Sequence, residues 1–132
     1  MSGLTRWLRF NLVGAMGTAV QLGSLAVLNR AMPGHYLWAS AAALEMTLLH
    51  NFAWHARYTW RDRAGPAGAQ LVRFHLSNGL VSMAGNLGLM RLLVHGAGMP
   101  VVAANAVAIG CCGVVNFLLG DGWAFGNPTD AR

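Results

Sequence analysis

Four apolar segments limit what this chain can fold into. They cover roughly residues 8–28, 37–54, 72–94 and 100–120, and each is close to the 17–25 residues that a helix needs to cross a bilayer. None alternates like a strand or carries the charged face of a soluble helix. Short breaks that contain Gly and Pro separate them. The pattern predicts an all-α membrane protein with four transmembrane helices, forming a single membrane domain over residues 1–132.

The charge content supports a membrane protein. Charged residues make up 10% of the chain, against about 25% in an average soluble domain. Nine arginines, no lysine and four acids give a formal net charge of +5. In a soluble protein this excess would suggest nucleic acid. Here the arginines lie at the ends of apolar segments, so they indicate topology and attraction to anionic membrane lipids, with no nucleic-acid partner.

The arginines also predict the orientation of the helices. Basic residues are enriched on the cytoplasmic side of membrane helices. The connections after the first and third helices carry only Arg30 and Arg91. The others lie before the first helix, around the central connection or at the C-terminus: Arg6, Arg9, Arg57, Arg61, Arg63, Arg73 and Arg132. We therefore predict that both termini and the central connection are cytoplasmic, in a multi-pass protein of the cell inner membrane.

The two halves of the chain resemble each other. RFNLVGAMGTAVQLG at 9–23 matches RFHLSNGLVSMAGNLG at 73–88, which has one extra residue, and NFAWHARYTW at 51–60 matches NFLLGDGWAF at 116–125. Because an even number of helices separates the copies, we predict two helical hairpins of the same orientation, forming a parallel repeat. The predicted parts are repeat one, a cytoplasmic loop and repeat two, at about residues 8–60, 61–71 and 72–125.

Taken in order, these motifs resemble the GtrA-like family of small four-helix membrane proteins. The resemblance covers about residues 8–125 and rests on RF-x-LVG-x-x-x-T in helix one, HNF-x-W-H-x-R-x-TW-R at the end of helix two, and the second Arg-Phe and Asn-Phe pairs. It implies a protein of cell-surface polysaccharide synthesis that assists the flipping or delivery of polyprenyl-phosphate-linked sugars. The sequence contains no catalytic triad, P-loop or dinucleotide fingerprint, so we predict a protein that is not an enzyme and has no cofactor.

An arginine cluster after the aromatic end of helix two is the candidate lipid-phosphate site. A guanidinium presents paired donors that suit a phosphate group. The alternative is that these arginines only set topology and bind lipid headgroups. His50 and His55 are five residues apart and therefore lie on different helix faces, which disfavours a metal site. The predicted phosphate-binding residues are Arg57, Arg61 and Arg63.

Polar and small residues recur every three or four positions along each helix, which places them on one face. We predict that the strongest of them form an intramembrane polar site for the sugar. The alternative is helix association, because small residues permit close approach and amides hydrogen-bond between helices. The predicted site residues are Gln21, Glu45, Asn51, Asn86, Asn105 and Asn116.

Glu45 lies about 15 Å below His55 along helix two, near the bilayer centre. An acid at this depth is costly and is a candidate functional residue. It either couples protons or cations to transport, or stays protonated and donates a hydrogen bond to an amide such as Gln21 or Asn105.

Two other functions fit a chain of this kind. One is a small-multidrug-type proton-coupled exporter, although the carboxylate of that family lies in the first helix. The other is a scaffold subunit for a membrane glycosyltransferase. Because four helices enclose little volume, we expect a homo-oligomer or a partner chain. Cys111 and Cys112 are adjacent, which rarely suits a disulfide, so we predict small buried packing residues.

Overall fold

The computed structural model of the chain describes residues 1–63 and 65–126, without the side chains of residues 36, 37, 101, 102 and 105. Across these residues the regular backbone is entirely helical and forms four rods. The first rod is α1, Gly3–Ala31. The second is α2, Tyr36–Trp54, which continues into a π-helical turn, His55–Thr59.

The third and fourth rods also contain π-helical turns. The third consists of α3 (Ala67–Phe74), a π turn (His75–Val81), α4 (Ser82–Arg91) and a second π turn (Leu92–Gly96). The fourth consists of α5 (Val101–Leu119) and a final π turn (Gly120–Ala124). Each of the four apolar segments falls within one rod, so the predicted all-α class is confirmed.

Within the described residues, two helical stretches are long and apolar enough to cross a membrane by length and composition, Gly3–Ala31 and Ala106–Ala124. In the second rod, Glu45, His50 and Asn51 lower the mean hydropathy. The third rod is divided into shorter pieces by its π turns. The predicted orientation of the helices stays a prediction, and Arg132 lies outside the described residues.

The chain divides into two compact units, of which the first is Met1–Asp62 and the second begins at Arg63. Each unit contains two rods joined by a short connection. Gly34 has φ +80° in the first connection, and Gly98 has φ +68° in the second. Glycine suits both positions because residues with a side chain rarely adopt this left-handed backbone.

In the first unit, small residues of α2 pack against α1. Ala39, Ala43 and Thr47 recur every four residues and are buried. On the facing side, α1 buries Phe10, Val13 and Gly17. Small side chains at this spacing let two helices approach closely, as in other membrane-helix pairs. The interior of the first unit is therefore a narrow contact between two helices.

The second unit repeats this spacing on α5. Ala104, Ala108 and Asn116 are buried, and they lie 65 positions after Ala39, Ala43 and Asn51. The first rod of the chain and the third, which begin the two units, differ however. α1 is uninterrupted, whereas the third rod contains the π turn His75–Val81 within the segment that has one extra residue. A π turn holds an extra residue because its hydrogen bonds span five residues instead of four.

Candidate lipid-phosphate and intramembrane polar sites

An aromatic cluster of Phe10, His55 and Trp60 closes the arginine-rich end of the first unit. The His55 ring stacks on Phe10 with centroids 5.0 Å apart, and Trp60 meets His55 edge-on at 5.2 Å. His55 and Trp60 are buried, and His55 Nδ1 shares a hydrogen bond of 2.9 Å with Thr59 Oγ1. The cluster fixes the end of the second rod against α1. Edge-to-face and offset-stacked rings contribute to such packing beyond their burial.

Two arginines of α1 are tied to the end of the second rod. Arg9 Nη1 donates to the carbonyl oxygen of Tyr58 at 2.9 Å, and its guanidinium carbon lies 4.5 Å from the centre of the Tyr58 ring. Arg6 Nη2 donates to Asp62 Oδ2 at 2.6 Å. This hydrogen bond lowers the pKa of the Asp62 carboxyl. Arg6 and Arg9 therefore hold the two rods of the first unit together.

Arg57 and Arg61 are exposed at the same end of the first unit. Among the described residues, neither guanidinium makes a hydrogen bond or an ion pair. They are four residues apart, with Tyr58 and Trp60 between them. Their donors are thus available to an external anion at a point where aromatic residues typically meet lipid headgroups.

Arg63, the third predicted phosphate ligand, lies in the second unit and is engaged there. Its Nη1 forms an ion pair of 2.9 Å with Asp121 Oδ1 and also donates to the Asp121 carbonyl oxygen. A longer bond of 3.4 Å reaches the Phe125 carbonyl oxygen. This pairing ties the start of the second unit to its last turn. Arg63 therefore has a structural role that Arg57 and Arg61 lack.

The arginine-rich end of the first unit has a counterpart in the second. Phe74 meets Phe125 edge-on at 6.2 Å, as Phe10 meets Trp60 at 6.0 Å. Arg73 Nη1 lies 3.4 Å from the Trp123 carbonyl oxygen, which matches the bond from Arg9 to Tyr58. The sequence match between the halves thus corresponds to equivalent contacts inside each unit.

The cationic part of that end is not repeated. The register of the repeat puts Gly122 at the position of Arg57, Gly126 at that of Arg61, and Gly120 at that of His55. The second unit has no equivalent of the exposed arginine pair among its described residues. A phosphate site of this design is therefore confined to the first unit.

The predicted polar stripe of the first unit is only partly inside it. Gln21 and Glu45 are exposed on their helices, whereas Asn51 is half-buried. Asn51 Oδ1 accepts a hydrogen bond from His50 Nδ1 at 3.2 Å, and Asn51 packs against Gly17. A methyl group added at Gly17 would lie 2.6 Å from Asn51 Nδ2. Glu45 and Gln21 are therefore not brought together with Asn51 in a common interior.

Asn116 is the most buried of the predicted site amides whose side chains the structure describes. It is 6% exposed, and its Nδ2 donates to Ser82 Oγ at 2.6 Å. Its Oδ1 is buried and has no hydrogen-bond partner, and the same is true of Asn86 Oδ1. Asn105 lies in α5, but its side chain is outside the described part of the structure.

A small groove of about 80 Å³ lies between α4 and α5, beside Asn116. Cys111 is exposed, so its predicted burial is wrong, and Cys112 is half-buried; both thiols are free. Both cysteines line the groove: Cys112 continues the four-residue spacing of the buried Ala104 and Ala108 on α5, and Cys111 is its neighbour in the chain. The lining residues are Val81, Ser82, Gly85, Leu89, Cys111, Cys112, Val115 and Asn116.

Sequence reasoning missed two ion pairs and the groove. Neither Asp62 nor Asp121 was predicted to pair with an arginine, because partners 56 or 58 residues away leave no local pattern. The groove depends on how closely α4 and α5 approach. One sequence signal points to the groove. The alignment of the two halves puts Ser82 and Asn116 of the second at the positions of Gly17 and Asn51 in the first, so the helix contact differs there. Among the described residues, no group of three His, Cys, Asp or Glu side chains could hold a metal ion.

Four apolar helical rods, with aromatic residues at the ends of the second and fourth and exposed arginines at the end of the second, are typical of a small helical membrane protein. The transmembrane-domain model of the GtrA/DPMS family matches residues 9–127. The chain therefore belongs to the GtrA/DPMS transmembrane-domain family, and the predicted resemblance is confirmed. Membership associates it with membrane processes that involve lipid-linked sugars. A comparison with curated proteins gives no match.

Proposed function

We propose that this protein assists the translocation or delivery of a polyprenyl-phosphate-linked sugar for cell-surface polysaccharide synthesis, at the inner membrane. The observation that carries the proposal is the exposed pair Arg57 and Arg61, whose guanidiniums have no partner among the described residues. Family membership gives the substrate class, and the arginines give a means of holding its phosphate.

The proposed binding step follows from the chemistry of the two side chains. A guanidinium keeps its charge at any physiological pH and can donate two parallel hydrogen bonds to one phosphate. The prenyl chain of the lipid remains in the membrane beside the apolar rods, and the phosphate stays at headgroup depth. Because no bond is made or broken in this step, the role requires no catalytic residue.

The aromatic cluster and the Arg9–Tyr58 contact support the site indirectly. They fix the backbone at the end of the second rod, which contains Arg57 and is followed by Arg61. An ordered backbone lowers the conformational entropy that binding costs. A glycosyltransferase that uses the same lipid-linked sugar is the expected partner, and a homo-oligomer is the expected assembly.

The test replaces Arg57 and Arg61 by lysine together. Lysine keeps the charge that sets topology but loses the planar, paired donors. We expect normal insertion and about tenfold weaker binding of a short-chain polyprenyl phosphate, since a charge-assisted hydrogen bond contributes about 1.5–3 kcal/mol. Binding is measured on purified protein in lipid nanodiscs by native mass spectrometry.

Arg30→Lys is the matched control, because Arg30 is also exposed and lies at the opposite end of α1. It should bind the lipid phosphate as the parent protein does. If the double lysine variant also binds like the parent, the arginine pair only sets topology and the proposed phosphate site is wrong.

A further inference from the structure

The connection end of the second unit carries two exposed side chains with nitrogen donors, Arg91 and His95. α4 ends at Arg91, and the π turn Leu92–Gly96 follows it. Residues four apart lie on the same helix face, with Cβ atoms about 5–6 Å apart, and the wider turn keeps them nearly in line. Neither side chain makes a hydrogen bond or an ion pair within the described part of the chain. Their donors are therefore available to an external acceptor.

The second unit offers no counter-charge near this pair. Asp121 is the one acid in the described part of that unit. It lies in the last turn of the fourth rod, at the end away from the connection, and forms an ion pair with Arg63. Charged residues at membrane depth are nearly always paired. An anion that pairs with Arg91 consequently comes from outside the described part of the second unit.

The depth of Arg91 suits the phosphate of a lipid. The third rod covers residues 67–96 and is about 45 Å long, which matches a bilayer together with its headgroups. Arg91 lies about 7 Å inside the end of that rod at Gly96. This depth is the boundary between the headgroups and the hydrocarbon. The long side chain of an arginine there carries its guanidinium to headgroup level.

The rod surface beside Arg91 is open and apolar. Gly88 lies three residues earlier on the same face, and a methyl group added there would meet nothing within 4 Å. Leu87 and Leu92 project on either side of this face by their helical angles, and they are 66% and 63% exposed. The strip between the two leucines has the width of a single prenyl chain, whereas a phospholipid has two acyl chains.

We infer that Arg91 and His95 form a second lipid-phosphate site, which holds the phosphate of the polyprenyl lipid in the leaflet opposite to Arg57 and Arg61. The guanidinium donates two parallel hydrogen bonds to the phosphate, and an imidazole N–H donates a third. The predicted topology puts Arg91 and His95 on the external side. The inference rests on the proposed function and deepens it. Translocation requires a site in each leaflet, whereas delivery to a partner requires only the arginine pair.

The first unit supplies a matched control. The register of the repeat puts Ala26 and Arg30 at the positions of Arg91 and His95. Arg30 is exposed at the connection end of the first unit, but alanine stands four residues before it. It therefore has the charge without a neighbouring donor on the same face. Substitutions of Arg91 and His95 should weaken phosphate binding, and substitution of Arg30 should not.

The first experiment counts bound lipid. The purified full-length protein in phosphatidylcholine nanodiscs is mixed with farnesyl phosphate, and the bound molecules are counted by native mass spectrometry. We expect two per chain for the parent protein and for Arg30→Gln. Arg91→Gln with His95→Gln should leave one, because the second site is weakened at least tenfold. A count that these two substitutions do not change would overturn the inference.

A second experiment locates the lipid and does not depend on the count. A farnesyl phosphate with a diazirine on its first isoprene unit is photo-cross-linked to the parent protein, and the labelled peptides are identified by mass spectrometry. Label is expected on residues 87–95, and Arg91→Gln with His95→Gln should reduce it at least tenfold. Both residues are exposed, so these variants should fold. Label on this segment that persists in the variant, or its absence from the parent, would contradict the inference.

Competitors identify the source of the phosphate. Unlabelled farnesyl phosphate should displace the label from residues 87–95, whereas phosphatidylglycerol and farnesol at the same concentration should displace much less. Equal displacement by phosphatidylglycerol would identify a general site for lipid headgroups. Equal displacement by farnesol would identify a site for the apolar chain alone. Either result would overturn the assignment to a polyprenyl phosphate.

The outcome is separable from that of the proposed function. Label on residues 87–95 should be unchanged when Arg57 and Arg61 are both lysine. Absence of label there, with binding that the lysine substitutions weaken, would overturn the Arg91–His95 site alone. Label there that depends on Arg91 and His95, with binding at the second rod indifferent to the lysine substitutions, would overturn the Arg57–Arg61 site alone.

Discussion

The two units share the same aromatic and arginine contacts. They differ in the residues exposed beside those contacts and in the packing deeper along the helices. In both, a phenylalanine of the first rod meets an aromatic ring at the end of the second, and an arginine beside it reaches a backbone carbonyl. The first unit adds His55 to the rings and exposes two arginines. The second has glycine at all three of these positions. The common contacts therefore serve the fold, whereas the differences are where function is expected.

Deeper along the helices, it is the second unit that has the additional feature, a groove. Gly17 and Asn51 bring the rods of the first unit into close contact, whereas Ser82 and Asn116 stand beside a groove in the second. Duplicated sequences thus kept one amide at the same position and placed it in two environments. An inward-facing amide in a membrane helix consequently does not identify a ligand site by itself. Whether such an amide can contact a ligand depends on the space between the helices next to it.

The largest expected effect comes from the shared aromatic contact. Trp60→Ala and Phe125→Ala each remove a fully buried ring, which costs about 3–5 kcal/mol of the free energy of unfolding. Trp60→Ala should be the more destabilising of the two, because Trp60 also packs on His55 and Phe125 has glycine there. Thermal unfolding of both variants in the same detergent measures the difference. A larger loss for Phe125→Ala would contradict a stabilising contribution from the contact between His55 and Trp60.

A smaller difference is expected at the helix contact. Gly17→Val inserts a branched side chain against Asn51 and should cost about 1–3 kcal/mol of the free energy of unfolding. Ser82→Val, at the equivalent position, removes one hydrogen bond and should cost about 1 kcal/mol. Denaturant unfolding of Gly17→Val and Ser82→Val compares their free energies of unfolding. Equal stability of Gly17→Val and the parent protein would mean that the rods of the first unit do not approach as closely as described.

The smallest effect concerns the Arg6–Asp62 pair, which the second unit lacks because Gln70 stands at the position of Arg6. The pKa of Asp62 is lowered by its bond to Arg6, so the pair stabilises the fold above the ordinary aspartate pKa of about 3.9 and loses this contribution as the pH falls through the lowered value. Because the pair is partly exposed, Asp62→Asn should cost less than about 1 kcal/mol at pH 7.

Unfolding temperatures of Asp62→Asn and the parent at pH 7 and at about pH 2 test this expectation. The difference between the two proteins should shrink at the lower pH, because protonation of Asp62 removes its ion pair with Arg6. Arg6→Gln is the control and should show the same small loss, without adding to that of Asp62→Asn. A difference that persists at low pH would assign the effect to packing.

Much of the fold followed from patterns that lie close together in the sequence. Four apolar segments gave the four rods, and the paired Arg-Phe and Asn-Phe motifs gave residues that make equivalent contacts in each unit. The lining of the candidate site was harder to predict. Helical periodicity placed Gln21 and Asn116 on inward faces alike, yet Gln21 is exposed and Asn116 is buried. Periodicity fixes which residues share a face, whereas the neighbouring helix decides which face is covered.

The π turn at His75–Val81 affects how the sequences of the two halves can be aligned. One residue added to an ordinary α-helix rotates everything beyond it by about 100°, which would carry Ser82 away from α5. The wide turn absorbs that residue, so the blocks before and after it keep their facing directions. The register between the two halves is therefore kept in two separate blocks. Any search for further members with this groove should align those blocks independently and allow a single-residue gap inside the helix.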